Sequence, residues 1–317
     1  MKIFKGKPKI LVVGGAGYVG GALTDLLMAR GYEIEVYDNL TYETRYTKNV
    51  PFIYADVRDQ ETLSSVINDY DVVFWLAALV GEGACVVNPI VTQEVNCDSV
   101  AWLAENFKGH IVFPSTCSVY GAQDDHLDES SPTNPLSIYA SSKLAAENIL
   151  TQKRPDALVF RLGTLYGLSD GHSRPRFDLV VNSFSKSAAM GATLMVHGGQ
   201  QWRPLLHVKD VAEAMVYGIE HNITGLYNLM EKNYRVCDIT EEVKRLIPQV
   251  AVEFHDKKIE DLRNYKVNGD KYKRLGWRPK YNLQFGILEI RELIKSGRVK
   301  NPNDAIHSNA EHIKNQF

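Results

Sequence analysis

Tyr139 and Lys143 stand four residues apart in SIYASSKLAAENIL, a stretch that reads as a helix. Four apart on a helix, both side chains project from one face. A phenol is a poor base at neutral pH, with an ordinary pKa near about 10. A neighbouring ammonium favours the phenolate and lowers that value, as does any nearby positive ring. A phenol so placed can take the proton of an alcohol while the hydride on the same carbon leaves. Thr116 closes the run HIVFPST and can hydrogen-bond the same oxygen. Tyr and Lys at this spacing also occur as ordinary surface neighbours, so the reading depends on what surrounds them.

The surroundings begin at Ile10. ILVV reads as a short buried strand, followed by Gly14-x-x-Gly17-x-x-Gly20 and a helix with Ala22, Leu23, Leu26 and Leu27 on one face. The first glycine allows a sharp turn, the second lets a pyrophosphate approach the main chain, and the third lets helix and strand pack closely. The opening helix offers free N–H groups and the positive end of its dipole to that anion. Gly14 and Gly17, with Tyr18 and Val19 between the later glycines, are therefore read as dinucleotide contacts. Asp38 ends the next strand, Ile34–Tyr37, about 20 residues past the glycines. A carboxylate there accepts from both adenosine ribose hydroxyls and repels a 2′-phosphate, which points to NAD rather than NADP. Asn39 lies beside it.

Further along, PFIYADVRD gives a strand ending near Asp56 and Val57. Asp56 either reaches the adenine amino group or, like Asp59, caps the helix expected over Glu61–Asn68. The strand Val72–Leu76 runs into Ala77 and Ala78, whose small side chains leave room for a ribose or phosphate. They equally suit a crowded sheet edge. A helix is expected from Pro89 to Phe107 with Asn96 inside it as a structural tie. Gly121–Leu136 reads as a loop and Ala157–Leu162 as the sixth strand. Alternating strands and helices with short joins imply an α/β fold: a right-handed, doubly wound parallel sheet with ligands at the carboxyl ends of its strands.

Composition narrows the function classes. The 317 residues carry 36 Lys and Arg against 38 Asp and Glu, a net charge of −2, so no global field draws nucleic acid or anionic lipid. The basic N-terminus has too short an apolar run behind it for a signal peptide, and nothing approaches a membrane helix. Four scattered cysteines read as reduced thiols of a cytoplasmic protein, with no metal site.

These motifs together resemble the extended short-chain dehydrogenase/reductase family, the NAD-dependent sugar-nucleotide epimerases and dehydratases. The likeness runs through GGAGYVG, Asp38, LAA at 76–78, STCSVYG at 115–121, YASSK at 139–143, RLGTLYG at 161–167, WRPLLHVKDVA at 202–212 and DLRNY at 261–265. Val13 stands where the family usually has Thr. The resemblance implies a Rossmann-type domain over 1–170, rejoined by segments such as 201–222, and a smaller substrate-binding lobe over 171–317. It makes Thr116, Tyr139 and Lys143 the catalytic set, with Lys143 also holding the nicotinamide ribose. It assigns Leu76, Ala77 and Ala78 to the cofactor, and Val80, Thr116, Arg176, Asn182, Arg203 and Arg263 to a nucleotide-sugar substrate. Arg203 and Arg263 would clamp its pyrophosphate, since guanidinium groups fit phosphate oxygens bidentately. Arg176 is evenly balanced between that role and an ion pair. A homodimer sealed by the helices 89–107 and 136–152 is also implied.

Within such a family the reaction turns on the residues directly after Thr116. A 4,6-dehydratase needs a carboxylic acid pair there, and Cys117 and Ser118 supply none. C4 epimerisation remains, or net oxidation or reduction at C4. ALVGEGAC, RFDLVVN, WRPLLHV and DLRNYKVN further resemble a subgroup containing GDP-heptose 4-dehydrogenases of bacterial surface-polysaccharide synthesis. A helix with its apolar face over Phe177–Phe184, a structural His207, a solvent-facing His197, a helix over Leu283–Lys295 and a polar tail complete the expectations.

Overall fold

The ILVV run does form β1 (Ile10–Val13), an interior strand of a seven-stranded sheet in which every pairing is parallel. The computed structural model describes residues 6–255 and 264–316. Around β1 lie β2 (Ile34–Asp38), β3 (Phe52–Tyr54), β4 (Val72–Trp75), β5 (His110–Thr116), β7 (Leu158–Leu162) and β11 (Gly225–Leu229). Their order, β3-β2-β1-β4-β5-β7-β11, reverses direction beside β1. That reversal opens a crevice at the carboxyl ends of β1 and β4. Buried on both faces, β1 and β4 are continuous apolar runs rather than alternating ones.

Successive side chains point to opposite faces and so feed two cores. On one face Val12, Val36 and Phe74 pack with Leu23 and Leu27 of α1 (Tyr18–Ala29) and with Val211 and Met215 of α8 (Val208–Glu220). On the other, Leu11, Val13 and Trp75 pack with Leu63 of α2 (Gln60–Val66), Leu103 of α5 (Ser99–Asn106) and Leu150 of α6 (Ile138–Lys153). The loop after β4 holds the short α3 (Glu82–Cys85). The expected helix over 89–107 forms in two parts: α4 (Pro89–Gln93), capped by Asn88, and α5, joined by a π-helical turn over Glu94–Asp98 that contains Asn96.

Smaller sheets build the remaining lobe. β8 (Thr164–Tyr166), β10 (Trp202–His207) and β12 (Lys232–Arg235) form one, β9 (Leu194–His197) pairs with β13 (Val252–His255), and β6 (Ala122–Leu127) pairs with β14 (Asn264–Val267). The stretch read as loop over 121–136 therefore holds a strand, because β14 supplies its partner. Helices α7 (Val180–Ala189), α9 (Val236–Leu246) and α11 (Leu283–Lys295) enclose this lobe's core with Val196 and Leu205. The short α10 (Asp270–Lys273) flanks the central sheet. His207 is fully buried and its Nε2 donates to Glu289 at 2.7 Å, a structural bond, while His197 faces solvent. The tail is ordered, ending in a 3-10 turn (Ala305–His307) and α12 (Asn309–Lys314).

Candidate active site

One cleft of about 770 Å³ runs from the glycine turn to the smaller lobe. Its floor is main chain. Gly14 has φ +83°, and a Cβ there would fall 2.5 Å from the amide nitrogen of Ala77. A Cβ on Gly20 would fall 2.4 Å from the carbonyl of Gly14. Both glycines are demanded by close approach. At Gly17 the same test meets only the Gly14 carbonyl, at 3.5 Å, and no side chain caps the start of α1. The helix end therefore faces the cleft bare, as an anion site requires.

Asp38 braces this turn. Its carboxylate accepts from the amide of Ala16 at 3.0 Å and from that of Leu40 at 2.8 Å. Burial pushes its pKa up, and the two amides pull against that. Each oxygen keeps a further lone pair for ribose hydroxyls. The alternatives left at the next strand end separate cleanly. Asp59 caps α2, accepting from Thr62, whereas Asp56 faces the cleft and binds Asn39 at 2.8 Å and Arg58 at 2.9 Å. Burial alone would raise Asp56, but the Arg58 guanidinium and amide outweigh it and hold the carboxyl below the usual range.

The chemical end lies where α6 passes the end of β5. Ser137 caps α6, and Thr116, Ser118, Tyr139 and Lys143 all line the cleft. Lys143 is buried, with its ammonium 3.8 Å from the centre of the Phe113 ring. Burial drives its pKa down to about 7, against opposing pulls from Cys85 and Glu147. Thr116 Oγ accepts from the amide of Ser118 at 3.1 Å. Cys117 turns away, fully buried, its thiol on the carbonyl of Arg161. Asn96 positions the opposite wall: its amide group exchanges two hydrogen bonds with the main chain of Leu79, at 2.8 and 2.9 Å, and reaches Ser142 of α6. The π turn aims it there, and such turns recur at functional sites.

Of the other sequence-read residues, Tyr18, Val19, Val57, Leu76, Ala77, Ala78, Val80, Arg176 and Arg203 also line the cleft. Arg176 forms a bidentate pair with Asp178, at 2.8 and 3.0 Å. Asn182 is not among the lining residues. It is fully buried, its carbonyl oxygen accepts from the amide of Gly167, and its NH₂ donates to the carbonyls of Gly167 and Arg176. That amide group is taken up by the main chain behind Tyr18, a residue that does line the cleft. Arg263 lies outside the described residues.

Sequence reasoning missed several wall residues. Arg58 and Glu82 line the cleft within motifs already quoted, and their charge was the available signal. Ser115 lines it too, with a buried hydroxyl that has no hydrogen-bond partner among the described residues. Ser308, Asn309 and Gln316 line it from the tail, which carries no local signal.

The bare helix end, the orphaned Ser115 hydroxyl, the Asp38 carboxylate and an ammonium buried against one ring all suit a dinucleotide. Known proteins agree. The NAD dependent epimerase/dehydratase family matches residues 10–229, and the chain belongs to that family. It is 28% identical to a UDP-N-acetyl-alpha-D-glucosaminuronate decarboxylase of Bacillus cytotoxicus, across 78% of this chain and 80% of that protein. It is 28% identical to a UDP-glucose 4-epimerase of Streptomyces lividans, across 86% and 91%. The crystal structure of the Thermus thermophilus UDP-glucose 4-epimerase with NAD superposes with a TM-score of 0.75 at 26% identity, over 89% of this chain and 99% of that one. The protein is thus an NAD-dependent enzyme of the sugar-nucleotide epimerase and dehydratase class. Among its described residues no helix is long and apolar enough to cross a membrane.

Proposed function

We propose that this enzyme is a nucleotide-sugar 4-epimerase. The observation that carries the reading is the make-up of the cleft around Tyr139. A phenol, a buried amine and the hydroxyls of Thr116 and Ser118 line it, and neither of the two residues after Thr116 is a carboxylate. Such a set moves one proton on and off a sugar oxygen but lacks the acid needed to expel water from C5–C6.

Gly14, Gly17, Asp38 and Lys143 would hold NAD, which accepts the C4 hydride and in an epimerase gives it back. Tyr139 takes the C4 hydroxyl proton onto its phenolate, and Thr116 donates to the same oxygen. The Lys143 ammonium favours the phenolate by its charge. The resulting ketone is flat at C4, so the sugar can present its other face. Tyr139 then returns the proton to the oxygen. Arg203 is assigned to the nucleotide diphosphate, and Val80 and Arg176 to the substrate, with Arg176 held by its pair with Asp178. Arg263 completes that set by resemblance.

A net 4-dehydrogenase is the second reading, favoured by the likeness of ALVGEGAC, RFDLVVN and WRPLLHV to GDP-heptose 4-dehydrogenases. Incubation with UDP-, GDP-, CDP- and dTDP-sugars tests both. Inverted C4 without net NADH supports the epimerase. Stoichiometric NADH with a keto sugar replaces it with the dehydrogenase, and CO₂ from a UDP-uronate would move the enzyme to the chemistry of its decarboxylase relatives. No turnover of any nucleotide sugar overturns all three. We also propose a homodimer through α4, α5 and α6; a monomer in equilibrium sedimentation at micromolar concentration would remove it.

A further inference from the structure

We infer that residues 305–316 are a working part of the cleft: a clasp, positioned by Asn309, that holds the dinucleotide between turnovers. The inference rests on the NAD-dependent reading of the site and not on which sugar reaction the enzyme runs.

The clasp joins three loops that otherwise belong to different parts of the molecule. Asn309, 3% exposed, donates through its side chain to the carbonyl of Val80 at 2.9 Å, and through its main chain to Asp178 at 3.1 Å. Its side-chain carbonyl accepts from Arg174. At the far end His312 and Gln316 both donate to the carbonyl of Thr41, at 2.9 and 2.8 Å. Between them Ile313 is fully buried in a cluster with Leu79, Ala84 and Cys85, against which Tyr42 and Tyr139 pack. Gly83 makes the fit possible, since a Cβ there would come within 2.8 Å of the Ala310 Cβ.

Arg174 belongs to this device. Its Nε donates to the carbonyl of Tyr42, one Nη to that of Ile306 and the other to Asn309. Each guanidinium nitrogen is occupied by the clasp or by the loop it crosses. The anchoring points also mark what is enclosed. Thr41 lies three residues past the ribose carboxylate Asp38, and Val80 two past Ala78. Ser308, Asn309 and Gln316 line the same cleft as both. A molecule lying along the wall from Asp38 to Tyr139 has the clasp across its way out. Polar side-chain bonds and one apolar anchor can open locally without unfolding the sheet beneath.

The test reads cofactor release with no sugar nucleotide present, so an enzyme that fails to invert C4 leaves it intact. NADH is bound to the full-length protein and displaced by excess NAD in a stopped-flow instrument, with NADH fluorescence as the signal. Asn309→Ala and Ile313→Ser weaken the polar and the apolar anchor of the clasp separately. Release at least tenfold faster in either variant is expected, with the Tm of the ligand-free protein unchanged within error. Activity lost on dilution should return on adding NAD, a rescue that a merely structural defect would not show. Release accelerated less than threefold in both variants overturns the inference. So does a fall in ligand-free Tm in both, which would make the segment part of the fold's foundation, and so does an absence of NADH binding in the parent protein.

Discussion

The floor and the roof of the cleft are built on opposite principles. The floor is parallel sheet and glycine backbone, fixed by main-chain pairing and by close contacts that tolerate no Cβ at Gly14 or Gly20. The roof is a patchwork in which side chains bond to distant main chain: Arg174 to Tyr42 and Ile306, Asn309 to Val80, His312 to Thr41. Where reacting atoms must be held to within fractions of an ångström, the molecule uses backbone. Where ligands must come and go, it uses bonds that break one at a time. Chemistry should thus answer to the floor, and access to the roof.

The largest effect should come from α6, which stands over the floor. Tyr139→Phe removes the proposed proton acceptor and should lower kcat by about 10²–10⁴-fold, with NADH binding retained in a fluorescence titration. A variant at full speed would break the comparison at its root. Next comes the Asp38 carboxylate. Asp38→Ala removes charge-assisted hydrogen bonds and should weaken NAD by roughly 1.5–3 kcal/mol in calorimetry, with NADP discriminated against less.

A smaller effect concerns Lys143. Its folded pKa of about 7 lies below its ordinary 10.5. Between those values the unfolded chain binds the extra proton, so the ligand-free enzyme gains stability as pH rises through that window. Urea unfolding should show a rise that disappears in Lys143→Met. A flat parent profile would mean that the ammonium is better solvated than its burial implies. The smallest effect belongs to the roof. Ser308 caps α12, and Ser308→Ala should cost about 0.5–1 kcal/mol. It should appear as faster amide exchange over residues 309–314 and leave the global Tm in place. A matching fall in Tm would show that the roof is as cooperative as the floor.

Legibility in the sequence divides along the same line. The turn at Gly14, the carboxylate at Asp38 and the pair Tyr139 and Lys143 are local patterns, readable because strand, turn and helix chemistry sets them within short windows. Asn182 is assigned by resemblance alone, and only the fold reveals Gly167 taking up its amide. The helix expected from Phe177 begins at Val180, and the Phe177 amide bonds the carbonyl of His307. β6 reads as loop because its partner, β14, comes more than a hundred residues later. The tail shows no period because its contacts satisfy three unrelated loops rather than one face.

The reach of those contacts bears on how the protein is made. The bond from Asn309 to Val80 spans 229 residues, and that from Gln316 to Thr41 spans 275. The last strand of the central sheet is already complete at Leu229. On the ribosome the parallel sheet can therefore assemble as an open shelf well before residues 305–316 emerge. Nucleotide can settle on the nascent chain first and be shut in only once residues 305–316 have followed, which would make cofactor loading a step of biogenesis as much as an equilibrium of the folded enzyme.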